Sequence, residues 1–260
     1  FLAMDAALSE KATIGGMLAS GTSGPLKWQY GNPRDLVIGM KVVQPDGTIT
    51  KSGGQVVKNV SGYDMARLHI GGIGTLGIIA EVGFKLTPKP TAETSVIAGF
   101  ENTKDCGDAA VAIFNSQVAP LALTTFDSSV LSQTGVSDMA GNQFLAVRLG
   151  GRPRALKRLT DDTVKFVQEH RGSNIETLEG KPALDIWKHL ADYGWAGDSA
   201  PEVVIRASVV PSRVQSLVDA IKTVSTGMTA SYVASPGYGN VMVFWQTQPG
   251  TNLLESSKNA

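Results

Sequence analysis

Apolar and polar positions alternate most regularly just before Pro88 and Pro90. Ile78, Ala80, Val82, Phe84 and Leu86 fall on one face of a strand, with Glu81 and Lys85 on the other. Upstream, Leu36 to Thr50 predicts a hairpin. Ile38, Met40 and Val42 share a face, and Gln44-Pro45-Asp46-Gly47 supplies the turn chemistry. Tyr63 to Ile70 predicts a helical run, and Asn32-Pro33-Arg34-Asp35 a turn or single helical turn. Beyond the two prolines, strands are expected at Val96–Phe100, Leu121–Phe126, Gln143–Leu149, Val203–Val209, Tyr232–Ala234 and Val241–Gln246. Helical spacing joins Cys106, Ala110, Ile113 and Phe114, then Leu156, Leu159, Thr163, Phe166 and Val167. A third stripe, Val214, Leu217, Val218 and Ile221, follows Pro211 near a helix start. Strand-helix-strand units of this kind predict an α+β chain whose second part is a ferredoxin-like layer.

Two glycine-rich stretches break these patterns. Gly71, Gly72, Gly74 and Gly77 flank Thr75 directly before the alternating strand. Without a Cβ, such a loop can take positive φ and approach a ligand or another backbone closely. Gly72, Gly74 and Gly77 also spell G-x-G-x-x-G, but a Rossmann fingerprint leaves a strand and opens a helix, and the order here is the reverse. A ligand loop and a plain packing turn both fit. Ala12 to Gly24 is the natural companion: Thr13 and Ile14 suit a strand end, Gly15-Gly16 a tight turn, and Met17-Leu18-Ala19 one helical turn before Ser20-Gly21. Thr13, Ser20, Thr22 and Ser23 add hydroxyls to the free N–H groups of that turn.

Composition narrows the function classes. The chain has 260 residues, 42% of them hydrophobic, which suits two domains, 1–90 and 91–260. Its 23 acidic and 23 basic residues cancel, and no basic block points to nucleic acid. Cys106, the single cysteine, leaves this chain no internal disulfide or cysteine-rich iron–sulfur site and suits a reducing compartment. No run approaches the roughly 18 apolar residues of a membrane span, and no secretory signal opens the chain. Because the sequence starts at Phe1 and runs straight into a glycine-rich turn, it is expected to lack its natural start.

ATIGGMLASGTSGPLKWQYGNPRDLVIGMKVVQPDG, followed by GGQVVKNVSGYDMARLHIGGIGTLGIIAEVGFKLTPKP, resembles the second half of the FAD-binding domain of the vanillyl-alcohol oxidase/p-cresol methylhydroxylase (PCMH) family. Within that family, GGQVVKNVSGYDMARL is most similar to the FAD-binding subunit of bacterial glycolate oxidases. The resemblance implies the second half of a PCMH-type FAD-binding domain over 1–90, followed by a ferredoxin-like α+β cap over 91–260. It implies FAD held between two α+β subdomains, with Thr13, Gly15 and Gly16 along the flavin and Ser20, Gly21 and Ser23 as a second contact stretch. Gly74, Thr75, Gly77, Ile78 and Ile79 would lie at the adenosine side. The family's first pyrophosphate loop would lie upstream of Phe1, and its closing Asn-Pro-Gly-Arg segment is not found before Ala260, so truncation at both ends is expected.

Oxidation of a hydroxy acid needs a base and a cation for the carboxylate. The catalytic relatives carry a histidine-rich metal cluster in the cap, whereas this chain has only His69, His170 and His189, none in a paired arrangement. No metal is therefore expected and no catalytic residue is assigned. His189, near Trp187, is the best candidate base, while His69 reads as structural and His170 as a helix-end cap. Arg34 and Asp35 read as an ion pair or cap, and Trp187, Tyr193 and Trp195 as packing rather than a substrate mouth. The resemblance implies partners: a catalytic flavoprotein subunit and an iron–sulfur subunit of glycolate oxidase, acting on a small 2-hydroxy acid. It implies a cytoplasmic protein that such a complex could hold at the periphery of the inner membrane. A self-sufficient FAD-dependent 2-hydroxy acid dehydrogenase and a flavin-free interaction subunit are the alternatives.

Overall fold

The computed structural model describes residues 1–54, 64–136, 139–195, 201–225 and 228–247. Its packing separates two units, Phe1–Lys89 and Pro90–Ala260.

In the first unit Thr13 does not end a strand. Its hydroxyl accepts the Gly16 N–H at 3.0 Å and caps a two-turn helix, α1 (Ile14–Ser20), which Gly21 closes at φ 66°. Two single turns follow, α2 (Lys27–Tyr30) and α3 (Pro33–Leu36). Pro33 opens α3, and the Asp35 carboxylate accepts the Asn32 N–H at 2.7 Å, the capping role open to it from sequence. The hairpin forms as β1 (Val37–Val43) and β2 (Ile49–Gly53). Next come α4 (Ala66–His69) and β3 (Ile78–Phe84), giving an antiparallel sheet of order β2-β1-β3. Of the helical run expected from Tyr63, Tyr63 itself lies outside the described residues and the helix is the single turn Ala66–His69. Leu18, Met40, Val42, Ala66 and Ile70 make the core.

The single-face reading of β3 fails for a visible reason. Its register against β1 jumps from Lys41–Glu81 to Val42–Ile79, so Ala80 is bulged out of the pairing. The bulge reverses the alternation: Ile79, Val82 and Phe84 pack on the core, while Ile78 is 73% exposed.

The second unit begins with β4 (Ala92–Phe100), α5 (Thr103–Phe114), β5 (Ala122–Asp127) and a short α6 (Ser128–Leu131). β6 (Gln143–Gly151), α7 (Pro153–Glu169), β7 (Ser173–Leu178) and α8 (Gly180–Asp192) follow. The chain then forms β8 (Val203–Ser208), α9 (Val214–Val224), β9 (Met228–Ser235) and β10 (Asn240–Thr247). All pair antiparallel in the order β7-β4-β6-β5-β9-β10-β8. β4 to β7 complete a ferredoxin-like β-α-β-β-α-β unit, and β8-α9-β9-β10 repeats its first four elements.

One face of the first half buries Val96, Ala98, Phe100, Leu145, Val147 and Leu149 under α5 and α7. The other buries Ile97, Phe126 and Phe144 under Ile186, Trp187 and Leu190 of α8. Each buried Val, Leu, Ile or Phe among them contributes about 1.5–3 kcal/mol. Phe114, expected on the buried face of α5, is instead 39% exposed at the helix end, and Ala109 takes the inward place. Trp187 is buried and donates from Nε1 to Ser95 Oγ at 2.8 Å. Tyr193 stacks edge-on against Phe244 and donates to Ser231 Oγ, also at 2.8 Å. Trp195 differs from these two, remaining 50% exposed.

Candidate functional site

The two glycine-rich stretches meet along α1. The first loop peptide after α4 gives its Gly71 N–H to Leu18 O at 2.9 Å, and Ile73 N–H reaches Ala19 O at 2.8 Å. Both are carbonyls at the C-terminal end of α1, and Leu18 O takes the loop N–H as a second donor beside that of Gly21 at 3.0 Å. Farther along, a Cβ on Gly15 would stand 3.5 Å from Ile79 O, so the start of α1 lies against the start of β3. Thr13, Gly15, Gly16, Ser20 and Gly21 thus run beside the segment that carries Gly74, Thr75, Gly77, Ile78 and Ile79. Ser23 lies just past the Gly21 cap and is half-buried.

The glycines there do different work. Gly21 at φ 66° packs so tightly that an added Cβ would stand 3.1 Å from Gly71 Cα. Gly77 at φ 145° has its missing side chain aimed at Val42 Cγ1 and Val43 O, each 2.7 Å away. These two close the backbone on itself. Gly74, at φ 72°, has nothing within 4 Å of the place its Cβ would take. That open side is where a ligand can approach the main chain. Ile73 beside it takes φ 55° and is 71% exposed, an outlier for a β-branched residue. Strain of this kind costs about 1–3 kcal/mol and collects at ligand-binding loops.

The hydroxyls are already oriented by the backbone. Ser20 Oγ donates to Gly16 O at 2.9 Å and Thr75 Oγ1 to Gly72 O at 2.7 Å. Neither stretch contains an acidic residue, and Ile14, Ile73, Leu76 and Ile78 are exposed along it. A neutral rim of backbone donors and apolar side chains fits a flavin dinucleotide, whose diphosphate is anionic and whose rings are apolar. The surface is open. A cavity of about 480 Å³ between the hairpin and α4, with Met40, Thr50, Leu68 and His69 among its lining, takes none of the eleven candidate residues.

Arg34 departs from its sequence reading. It sends Nη2 to the carbonyl of Ile70 at 3.0 Å. No motif marks this contact, because the two positions stand 36 apart in the chain and meet only when the sheet folds.

The histidines offer no assembled acid–base machinery. His170 Nδ1 lies 2.7 Å from Phe166 O and His189 Nδ1 2.7 Å from Asp185 O, so each ring bonds the carbonyl four residues back in its own helix. Among the described residues, no three His, Cys, Asp or Glu side chains gather closely enough to hold a metal ion. Cys106 is buried, which pushes its thiol well above the ordinary value and keeps it protonated. Among the described residues, no helix is long and apolar enough to cross a membrane.

Residues 1–53 match the family described as FAD binding domain. Over 87 residues, 34% of this chain, the sequence is 42% identical to glycolate oxidase subunit GlcE of Escherichia coli, covering 25% of that protein. Over 189 residues, 71% of this chain, it is 30% identical to the mitochondrial D-lactate dehydrogenase [cytochrome] of Arabidopsis thaliana, covering 33% of it. The chain therefore spans a third or less of the length of these relatives. Among solved structures, an alkyldihydroxyacetonephosphate synthase superposes with a TM-score of 0.72 at 19% identity, over 96% of this chain and 54% of that one. p-Cresol methylhydroxylase with substrate bound superposes at 0.65 and 16% identity, over 95% of this chain and 57% of that one. The chain thus matches an FAD binding domain over residues 1–53 and has the α+β fold of the p-cresol methylhydroxylase-type structures.

Proposed function

We propose that this chain belongs to the FAD-binding subunit of an oxidoreductase complex that oxidises a small 2-hydroxy acid, glycolate to glyoxylate, and passes the electrons to partner subunits. The observation that carries the flavin reading is the joint between α1 and the loop after α4, which lines up Thr13, Gly15, Gly16, Ser20 and Gly21 beside Gly74, Thr75, Gly77, Ile78 and Ile79. On this reading those residues and Ser23 hold FAD through backbone N–H groups and hydroxyls. The flavin, when bound, takes up the two electrons released as the hydroxy acid becomes the oxo acid. The substrate class rests on likeness to relatives named glycolate oxidase subunit and D-lactate dehydrogenase.

Two features favour a subunit within an assembly over a self-contained enzyme. His170 and His189 are turned onto their own helices. With Cys106 as their single cysteine, these 260 residues hold no cysteine-rich iron–sulfur site of their own. The partners on this reading are a catalytic flavoprotein and an iron–sulfur protein, with the complex cytoplasmic and held at the inner membrane's periphery through those partners.

The test is the visible spectrum of the full-length protein, purified alone and then with its partners, before and after anaerobic addition of glycolate or D-lactate. A flavin spectrum that bleaches with glycolate only when the partners are present is the expected result. Bleaching in the isolated subunit would establish a self-sufficient dehydrogenase, and preference for D-lactate would reassign the substrate. Absence of flavin from the full-length protein would overturn the reading.

A further inference from the structure

From the geometry we infer that Arg34 is a positioning residue for the flavin loop, fixing the one peptide through which Gly71 docks on α1. The inference rests on the flavin reading above for its consequence, though not for its geometry. His69 to Gly72 form a β-turn. Ile70 lies at φ −76°, ψ 115°, Gly71 at φ 80°, and Gly72 N–H returns to His69 O at 3.3 Å. Those angles are the type II turn, which differs from type I by a half-rotation of its central peptide. Here the central peptide is Ile70–Gly71, and it is held at both ends. Its carbonyl accepts Arg34 Nη2 at 3.0 Å, and its N–H donates to Leu18 O at 2.9 Å.

A flip of this peptide would break both bonds together. It would turn the Gly71 N–H away from Leu18 O and leave the Ile73–Ala19 bond without its neighbouring tie to α1. The Arg34 bond is charge-assisted, and such a bond is about twice as strong as a neutral one. Its base is rigid: α3 is capped by Asp35, runs directly into β1, and gives its Leu36 carbonyl to Lys85 N–H at 2.8 Å. Glycine at position 71 makes both turn types accessible to the backbone. Glycine at this position suits type II, and the guanidinium and Leu18 O together hold that form against the flipped one.

The test compares wild-type, Arg34→Gln and Arg34→Lys full-length proteins by two readouts: amide hydrogen exchange of the flavin-free form, and FAD affinity. In Arg34→Gln, exchange at Gly71 and Ile73 should quicken about tenfold and FAD affinity should fall about tenfold, the equivalent of one charged hydrogen bond. The thermal midpoint of the flavin-free protein should barely move. Arg34→Lys, which keeps one charged donor, should recover part of both losses. Unchanged exchange at Gly71 and Ile73 in Arg34→Gln would overturn the inference. So would faster exchange spread over β1 and β3 together with a lowered midpoint, because Arg34 would then be a general brace. A wild-type protein that binds no FAD would refute the flavin reading, while the exchange of Gly71 would still decide whether the peptide is locked.

Discussion

Asp127→Asn probes the seam where the two halves of the large sheet meet. β5 and β9 pair there through Thr125–Ala234 and Phe126–Val233, and Asp127 stands at the next position. One carboxylate oxygen accepts the Val130 N–H at 3.1 Å and the other the Tyr232 N–H at 2.9 Å. The residue is only 7% exposed. Burial raises its pKa from 3.8 to about 6, against the opposing pull of those two N–H groups and of Lys222. A carboxyl displaced this far upward binds its proton more tightly in the folded chain than in the unfolded one. Between pH 3.8 and about 6 the unfolded form alone is ionised, so stability falls as pH rises through that window. The full loss is about 3 kcal/mol, complete above the folded value and absent below the unfolded one.

Asparagine keeps the shape and cannot ionise. It also loses one acceptor, a cost of about 1–3 kcal/mol that does not depend on pH. The two effects separate by plotting the difference in unfolding free energy between Asp127→Asn and wild type, from urea titrations at pH 3.5 to 7.5. That difference should shift by about 3 kcal/mol in favour of the variant as pH rises, with its midpoint between pH 4 and 6. Parallel profiles would refute the burial argument. A shift in the opposite direction would show that Val130, Tyr232 and Lys222 outweigh desolvation and hold the carboxyl below its ordinary value.

Three further substitutions test other parts of the structure. Gly77→Ala puts a methyl 2.7 Å from both Val42 Cγ1 and Val43 O at φ 145°, and should destabilise the first unit by about 2–3 kcal/mol in thermal unfolding. Ile73→Asn relieves a β-branched residue at φ 55° that buries little of itself, and should stabilise the flavin-free protein by about 1 kcal/mol in the same assay. Trp187→Phe leaves Ser95 Oγ buried without its 2.8 Å donor, at about 1–3 kcal/mol. The double change with Ser95→Ala should recover part of that loss, a coupling readable by a double-mutant cycle.

Periodicity serves the fold well wherever one face of an element is buried and the other is wet. α7 shows this, with Leu156, Thr163 and Val167 inside and Leu159 and Phe166 flanking them. It fails where that condition fails. β7 reads Ser-Asn-Ile-Glu-Thr-Leu, an edge strand with little to bury, and nothing in its composition separates it from a loop. In β3 the alternation itself is real, yet a single bulged residue at Ala80 exchanges the faces, an event that carries no sequence mark. α1 starts earlier than its residue types suggest for a local reason. Thr13 keeps the extended backbone its type favours, at φ −92° and ψ 152°, and from there its hydroxyl accepts the Gly16 N–H and starts the helix at Ile14.

The candidate site divides along the same line. Glycine is legible because its absence of a side chain is a statement about backbone conformation, and the two Gly-rich stretches stand out from composition alone. What glycine does not carry is a record of what approaches it. Gly21, Gly74 and Gly77 look alike in sequence, yet Gly21 faces another backbone, Gly77 a strand, and Gly74 open space. Only Gly74 has its side-chain direction open, so the packing turn and the open loop are both present, on different residues of one stretch. Arg34 shows the converse. Its chemistry is visible in the sequence and its partner is not, because a guanidinium advertises charge while the acceptor it finds is a main-chain carbonyl that any residue at position 70 would present.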